Sequence, residues 1–142
     1  MSAESTDVLI VGAGPSGLTA AAELARDHRV IVIEREQVAG GIPRHSDHTG
    51  YGLRDLKKVM SGPQYARVLS GRAARAGADI RTETMMTGWV DERLVAVTSP
   101  AGRYEINAGA VILATGARER PRSARLVAGD RPAGVLDRKS VV

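Results

Sequence analysis

Three glycines and one carboxylate carry the chemistry that this chain most plainly offers. Gly12, Gly14 and Gly17 form a G-x-G-x-x-G turn within DVLIVGAGPSGLTAAAELARDHRVIVIE, residues 7–34, and Glu34 follows Gly12 by 22 positions. Such a turn captures negative charge with backbone. Gly12 permits a tight reversal, and Gly14 lets the main chain approach a pyrophosphate. Gly17 lets the next helix pack closely on the preceding strand. The free N–H groups and the dipole at a helix N-terminus favour the anion. A carboxylate at position 34 accepts hydrogen bonds from both hydroxyls of an adenosine ribose and disfavours a 2′-phosphate. The turn alone leaves open whether the dinucleotide is FAD or NAD.

The flanking residues supply the elements that such a site requires. Val8 to Val11 and Val30 to Ile33 are short apolar, β-branched runs suited to strands buried on both faces. Pro15 suits the first turn of a helix, and Leu18, Ala21, Ala22 and Ala25 recur at helical spacing. The whole pattern predicts an α/β fold. Parallel strands are expected at 7–11, 30–34, 79–82 and 110–114, covered by helices at 15–27 and 63–76. Ser61 and Gln64 stand at capping-box spacing with Pro63 in the first turn, and the second helix should turn Tyr65, Leu69, Ala73 and Ala76 inward. Three short runs at 85–90, 94–98 and 103–107, separated by polar turns, suit an antiparallel meander.

A second motif lies at the end of the last parallel strand, where Ala114-Thr115-Gly116 follows AVIL and precedes Pro121. With the first turn it resembles the two-dinucleotide-binding-domain flavoproteins, the pyridine nucleotide-disulfide oxidoreductase-like family. In that family the first G-x-G-x-x-G belongs to FAD, and the A-T-G strand returns beside it. Gly40-Gly41 also follows Glu34 as in the family, leading the chain towards the pyrophosphate and flavin. The stretches GGIPRHSDHTGYGLRDLKKVMSGPQYA and ATGARERPRSARLVAGDRPAGVL are similar to the FAD/NAD-binding subunits of sarcosine, opine and hydroxyproline dehydrogenases, and similar proteins accompany glycerol-3-phosphate dehydrogenases.

The resemblance covers residues 7–136. It implies a Rossmann-like FAD-binding domain containing a parallel sheet, helices and a three-stranded antiparallel meander. Its implied FAD contacts are Gly12, Ala13, Gly14, Pro15, Ser16, Gly17, Glu34, Arg35, Gly41, Ala114, Thr115 and Gly116, with Met86 placed at the adenine by its backbone. Arg44 and His45 directly follow Gly40-Gly41 and are candidates for the FAD phosphate or flavin ring, Arg offering a forked donor. A solvent-exposed or partner-facing loop is the alternative for these two. His45 and His48 flank Asp47, but a third ligand for a metal is missing.

The chain departs from many relatives in having no cysteine, with Ser46 near where some place one. Dithiol exchange needs a thiolate, so these residues cannot carry it. Hydride or electron transfer through flavin is the expected chemistry, and no general acid or base stands out. The family's FAD domain is discontinuous, with a last strand and helix arriving from far downstream after an NAD(P) domain. Residues 1–136 are therefore expected to be the N-terminal part of such a domain. Residues 137–142, DRKSVV, are what the sequencing-adapter string GATCGGAAGAGCGTCGTG encodes before its stop codon, and are expected to be a non-native tail. The isolated 142 residues should be marginally stable and bind FAD weakly or not at all.

Composition narrows the class further. At 43% hydrophobic and 25% charged, without low-complexity segments, the chain suits a globular protein. No apolar run approaches the roughly 20 residues of a membrane helix, and MSAESTD is unlike a secretory signal. A cytoplasmic location is expected. The net charge of +4 raises nucleic acid as a partner, but 17 of the 20 basic residues are arginines spread among acids, and aromatics make up only 3%. The cluster at Arg118–Arg125 lies in the family's linker after A-T-G, so nucleic-acid binding is not expected. By resemblance, the partners are a small-molecule substrate (an amine, amino acid or hydroxy acid) and a further dehydrogenase subunit. The competing classes are a non-catalytic dinucleotide-binding subunit or sensor domain, and a simple NAD-only dehydrogenase, against which the A-T-G strand argues.

Overall fold

A computed structural model describes residues 3–117. The arginine cluster after A-T-G, Pro121 and the 137–142 tail lie outside the described residues. Along the chain the elements are β1 (Glu4–Val11), α1 (Pro15–Leu24), β2 (Val30–Ile33), a 3-10 turn (Ile42–His45), β3 (Thr49–Tyr51), β4 (Met60–Ser61), α2 (Gly62–Arg75), β5 (Asp79–Arg81), β6 (Met85–Trp89), β7 (Leu94–Ser99) and β8 (Gly102–Leu113).

Six strands form one sheet in the order β5-β2-β1-β8-β7-β6. β5, β2, β1 and β8 run parallel, as expected of strands joined through covering helices. Because successive strand residues face opposite ways, β1 and β2 feed two cores. Val8, Ile10, Val30 and Val32 pack with Leu18 and Ala21 of α1 and Leu69 and Ala73 of α2. Leu9, Ile31 and Ile33 pack on the other side with Val95, Val97, Ile106 and Ala108. Leu9, Ile10, Leu18 and Ile33 are fully buried, each such side chain contributing about 1.5–3 kcal/mol of transfer free energy.

The meander differs from its expected form. The runs at 103–107 and 110–114 are not separate strands but one, β8, of 12 residues. Its first half pairs antiparallel with β7, from Ser99↔Gly102 to Leu94↔Asn107. On its opposite edge β8 pairs with β1, from Glu4↔Ile106 to Val11↔Leu113. Gly109 keeps the strand continuous at its tightest point, since a Cβ there would lie 2.9 Å from the Asp7 carbonyl oxygen. The meander therefore extends the parallel sheet and curls back over one of its faces. Tyr104 of β8 shows the curl: its hydroxyl lies 3.4 Å from Arg81 Nη1 on β5, although β2 and β1 separate those strands in the sheet.

Arg81 fastens that curl. Its Nη1 and Nη2 donate to the two carboxylate oxygens of Glu4 at 2.6 and 2.7 Å, and Nη2 also donates to Asp79 Oδ2 at 2.6 Å. The hydrogen bonds from Arg81 hold the Glu4 carboxyl below its ordinary value of 4.5. A carboxylate with a depressed folded-state pKa contributes stability that is present above its unfolded value and lost as pH falls through the folded one. Acidification below about pH 4.5 should therefore weaken the sheet, and Arg81→Met should flatten that dependence in a thermal-melt series. Glu4 is 44% exposed, so solvent screening limits the effect to about 1 kcal/mol or less.

Helix α2 starts as its sequence predicts. Gln64 N–H donates to Ser61 Oγ at 3.4 Å while the Ser61 N–H donates to the Gln64 side chain at 3.1 Å, completing the capping box. Ser61→Ala should cost about 1 kcal/mol in thermal unfolding. The inward face matches expectation at Leu69 and Ala73 but not at Tyr65 and Ala76, which are only partly buried. Gly62, Ala66, Leu69 and Ala73 are the buried residues: Gly62 sits directly against the carbonyls of Pro43 and Ser46, and Leu69 and Ala73 pack in the core with α1. Tyr65 is only partly buried, and its hydroxyl donates to Asp55 Oδ2 at 2.7 Å. Burial, together with that bond, pushes the Tyr65 phenol up to about 12. The small antiparallel pair β3–β4, whose Tyr51 ring lies 5.6 Å from that of Tyr65, has no counterpart in the sequence reading.

Candidate functional site: a dinucleotide cradle at the strand ends

The first glycine of the turn adopts a conformation that side chains rarely take, with φ +106° at Gly12. Its N–H donates to the Ile33 carbonyl at 2.8 Å, which ties the turn to β2. A Cβ on Gly12 would strike the Ala114 carbonyl oxygen and lie 3.3 Å from the Thr115 Cα. The G-x-G-x-x-G turn and the A-T-G residues, 102 positions apart in the chain, are thus in direct contact. The Ala114 N–H completes the junction by donating to Val11 O at 2.8 Å.

Gly17 and Gly14 are small for opposite reasons. A Cβ on Gly17 would collide with the Gly12 carbonyl oxygen, so this glycine serves the packing of α1 on the turn. A Cβ on Gly14 would meet nothing within 4 Å, and the Gly14 backbone is ordinary at φ −79°. Among the described residues, nothing requires a glycine there. The open space in front of Gly14 lies at the N-terminus of α1, where Pro15 carries no N–H and no side chain caps the helix. Among the described residues, the N–H groups of Ser16 and Gly17 find no backbone partner outside the helix, and the first turn holds no acidic side chain. Uncapped N–H groups with the positive end of the helix dipole form an anion site.

Gly41 closes the cradle from a second direction. Its φ is +63°, and a Cβ there would lie 2.9 Å from the Gly14 Cα. The neighbouring Gly40 N–H donates to the Ala13 carbonyl at 2.7 Å, so the Gly-Gly pair is pinned to the turn. The Arg44 stem packs over Gly40, while its Nε is buried without a hydrogen-bond partner. A buried donor left unmet costs about 1–3 kcal/mol. Arg44 Nη2 lies 3.2 Å from His45 Nε2. His48 is turned to other partners: its ring stacks on Tyr51 at 5.3 Å between centroids.

Glu34 is 9% exposed. Its Oε2 accepts from the Ala13 N–H at 2.9 Å and its Oε1 from the Glu36 N–H at 3.0 Å. Each carboxylate oxygen has two lone pairs, so one on each remains for ribose hydroxyls. The sequence reading missed the Ala13 bond, which makes Glu34 part of the turn as well as a ligand group. Arg35 is exposed, and Met86 packs its side chain on the meander-side core. Thr115 and Gly116 are exposed at the end of β8. Missed altogether was an open cavity of about 620 Å³ immediately beyond Glu34, lined by Arg35, Glu36, Gln37, Glu83, Met85 and the turn at 98–100.

The residues fit a dinucleotide: uncapped helix N–H groups before open space for the pyrophosphate, and a carboxylate one strand away for the ribose. No helix among the described residues is long and apolar enough to cross a membrane.

Comparison with known proteins agrees with this geometry. The sarcosine oxidase subunit alpha of Corynebacterium sp. (strain P-1) is 33% identical over 131 residues, covering 82% of this chain and 13% of that protein. The thioredoxin reductase of Treponema pallidum (strain Nichols) is 36% identical over 118 residues, covering 80% of this chain and 36% of that protein. Among solved structures, the L-proline dehydrogenase from P. horikoshii superposes with a TM-score of 0.69 at 30% identity, over 82% of this chain and 24% of that one. The chain thus spans about a third or less of the length of these relatives. The sequence model described as pyridine nucleotide-disulphide oxidoreductase matches residues 6–137. The chain belongs to the pyridine nucleotide-disulphide oxidoreductase family.

Proposed function

We propose that these residues are the N-terminal FAD-binding portion of an FAD-dependent, NAD(P)-linked oxidoreductase that works by flavin hydride or electron transfer. The observation that carries this reading is the contact between Gly12 and Ala114, which brings the glycine turn and the A-T-G residues to one cradle. When bound, FAD supplies the redox chemistry, and the protein's part is to bind and orient it. The α1 N-terminus and Arg44 hold the pyrophosphate. Glu34 holds the adenosine ribose. The Gly40-Gly41 segment and the A-T-G residues direct the dinucleotide along the strand ends.

The absence of cysteine from all 142 residues leaves no thiolate here for the dithiol exchange implied by a thioredoxin reductase relative. The substrate class is an amine, amino acid or hydroxy acid, and the sarcosine oxidase and proline dehydrogenase names among the relatives support the first two. A partner dehydrogenase subunit is supported by the first relative's being a named subunit. Residues 1–136 would be completed by a segment pairing with β8, whose edge beyond Asn107 has no partner from β7 and whose Leu113 is 61% exposed.

The test is anaerobic reduction of the native-length protein by NADH or NADPH. Bleaching of the bound flavin's visible band supports the enzyme. Absence of bleaching by either nucleotide or by any amine, amino-acid or hydroxy-acid donor supports the non-catalytic subunit or sensor instead.

A further inference from the structure

The loop from Gly52 to Val59 stands outside the six-stranded sheet, between β3 and β4. We propose that this loop is the docking knob for the partner dehydrogenase subunit, and that it enters an apolar hollow rimmed by carboxylates on that subunit. This inference rests on the partner-subunit reading above and adds to it the surface and the chemistry of the contact.

The loop presents apolar surface and positive charge together. Leu53 and Val59 are 59% and 61% exposed, although side chains of their kind are among those most often buried. Arg54 follows the first, Lys57 and Lys58 precede the second, and all three are exposed. Among the described residues, none of these cations forms an ion pair. The loop's one carboxylate, Asp55, is occupied by the Tyr65 hydroxyl at 2.7 Å. Apolar anchors within a charged rim have the composition of a protein–protein contact. Carboxylates are what a rim of cations selects.

The loop is also built to hold its shape. Gly52 takes φ +80°, and a Cβ there would lie 2.8 Å from the Lys58 carbonyl oxygen. The Leu56 and Lys58 N–H groups both donate to the Gly52 carbonyl, at 2.9 and 3.3 Å, so the chain closes on its own starting point. The Asp55 bond and the Tyr51 ring, 5.6 Å from that of Tyr65, fasten it to α2. Lys57 has φ +55°, a left-handed conformation that a lysine rarely adopts, and strain of this kind collects at functional surfaces. A preorganised knob loses little freedom on binding. It is a compact turn and not a helix with an apolar face, so its shape suits a hollow in a protein and not a lipid surface.

The test is made on the native-length protein with the subunit that co-purifies with it. A carbodiimide, which joins amines to carboxylates in direct contact, should link Lys57 or Lys58 to an Asp or Glu of that subunit, as read by mass spectrometry. Titration of the separated subunits should give an affinity that falls as salt rises. Lys57→Glu combined with Lys58→Glu should weaken that affinity by about tenfold or more, and Leu53→Ala should weaken it at low and high salt alike. Both variants should keep the wild-type flavin content, which separates this contact from the cofactor site. Links from Lys57 and Lys58 only into the same chain, an affinity unchanged in both variants, or attachment of the loop to vesicles of anionic phospholipid and not to the subunit would overturn the inference and leave the partner-subunit reading standing. A native-length protein that purifies with no subunit would overturn both, while its flavin content would still judge the FAD reading.

Discussion

Replacing Gly14 with alanine in the native-length protein should weaken FAD binding by more than about tenfold while shifting apoprotein stability by less than about 0.5 kcal/mol. The asymmetry follows from the space around this glycine. A methyl group there touches no protein atom within 4 Å, and the backbone conformation suits any residue. It does occupy the approach to the uncapped N-terminus of α1. Gly17→Ala is the companion with the opposite signature. Its methyl group would be driven into the Gly12 carbonyl oxygen, and such overpacking costs about 1–3 kcal/mol of stability. Calorimetry of the two apoproteins beside flavin titration separates a cradle from a packing motif. Equal destabilisation by both changes would mean that the glycines serve the fold alone.

Removing the Glu34 carboxylate should be more damaging than removing a ligand group usually is. Glu34→Ala strands the N–H groups of Ala13 and Glu36, and Ala13 is fully buried. Leaving a buried donor unmet costs about 1–3 kcal/mol, and a destabilisation of that size is expected from Ala13, since Glu36 is an exposed residue whose N–H water can reach. That is a large part of the 5–15 kcal/mol by which domains are typically stable. Glu34→Gln keeps the shape but turns an NH₂ towards one of those donors, and should fall between wild type and alanine. Both variants should lose FAD affinity. If Glu34→Ala melts like the wild type, the carboxylate is not the structural partner of the turn that its hydrogen bonds indicate.

What the sequence disclosed and what it concealed divide along a physical line. Features set by nearest neighbours were legible. The β-branched runs at Val8–Val11 and Val30–Ile33 became parallel strands in register, and Ser61 with Gln64 formed the expected capping box. Features set by the curl of the sheet were not. β8 reads as two strands because Ala108 and Gly109 have weak strand preference, yet pairing with β1 carries the strand straight through them. The bond between Arg81 and Glu4, 77 residues apart, has no local signature. The cavity beyond Glu34 needs the turn at 98–100 brought over residues 35–37, which only the folded meander accomplishes. Even Glu34, singled out from the start, was read as a ligand group alone, because its hydrogen bond to Ala13 joins positions 21 residues apart.

The most direct test of the account is the identity of the nucleotide that the native-length protein holds. Purified protein should be denatured and the released cofactor identified by mass spectrometry, with its amount measured against protein. The account predicts FAD in equimolar amount, lost in the Gly14→Ala variant while the fold persists. A colourless protein that takes up NAD but no flavin at the glycine turn would contradict it.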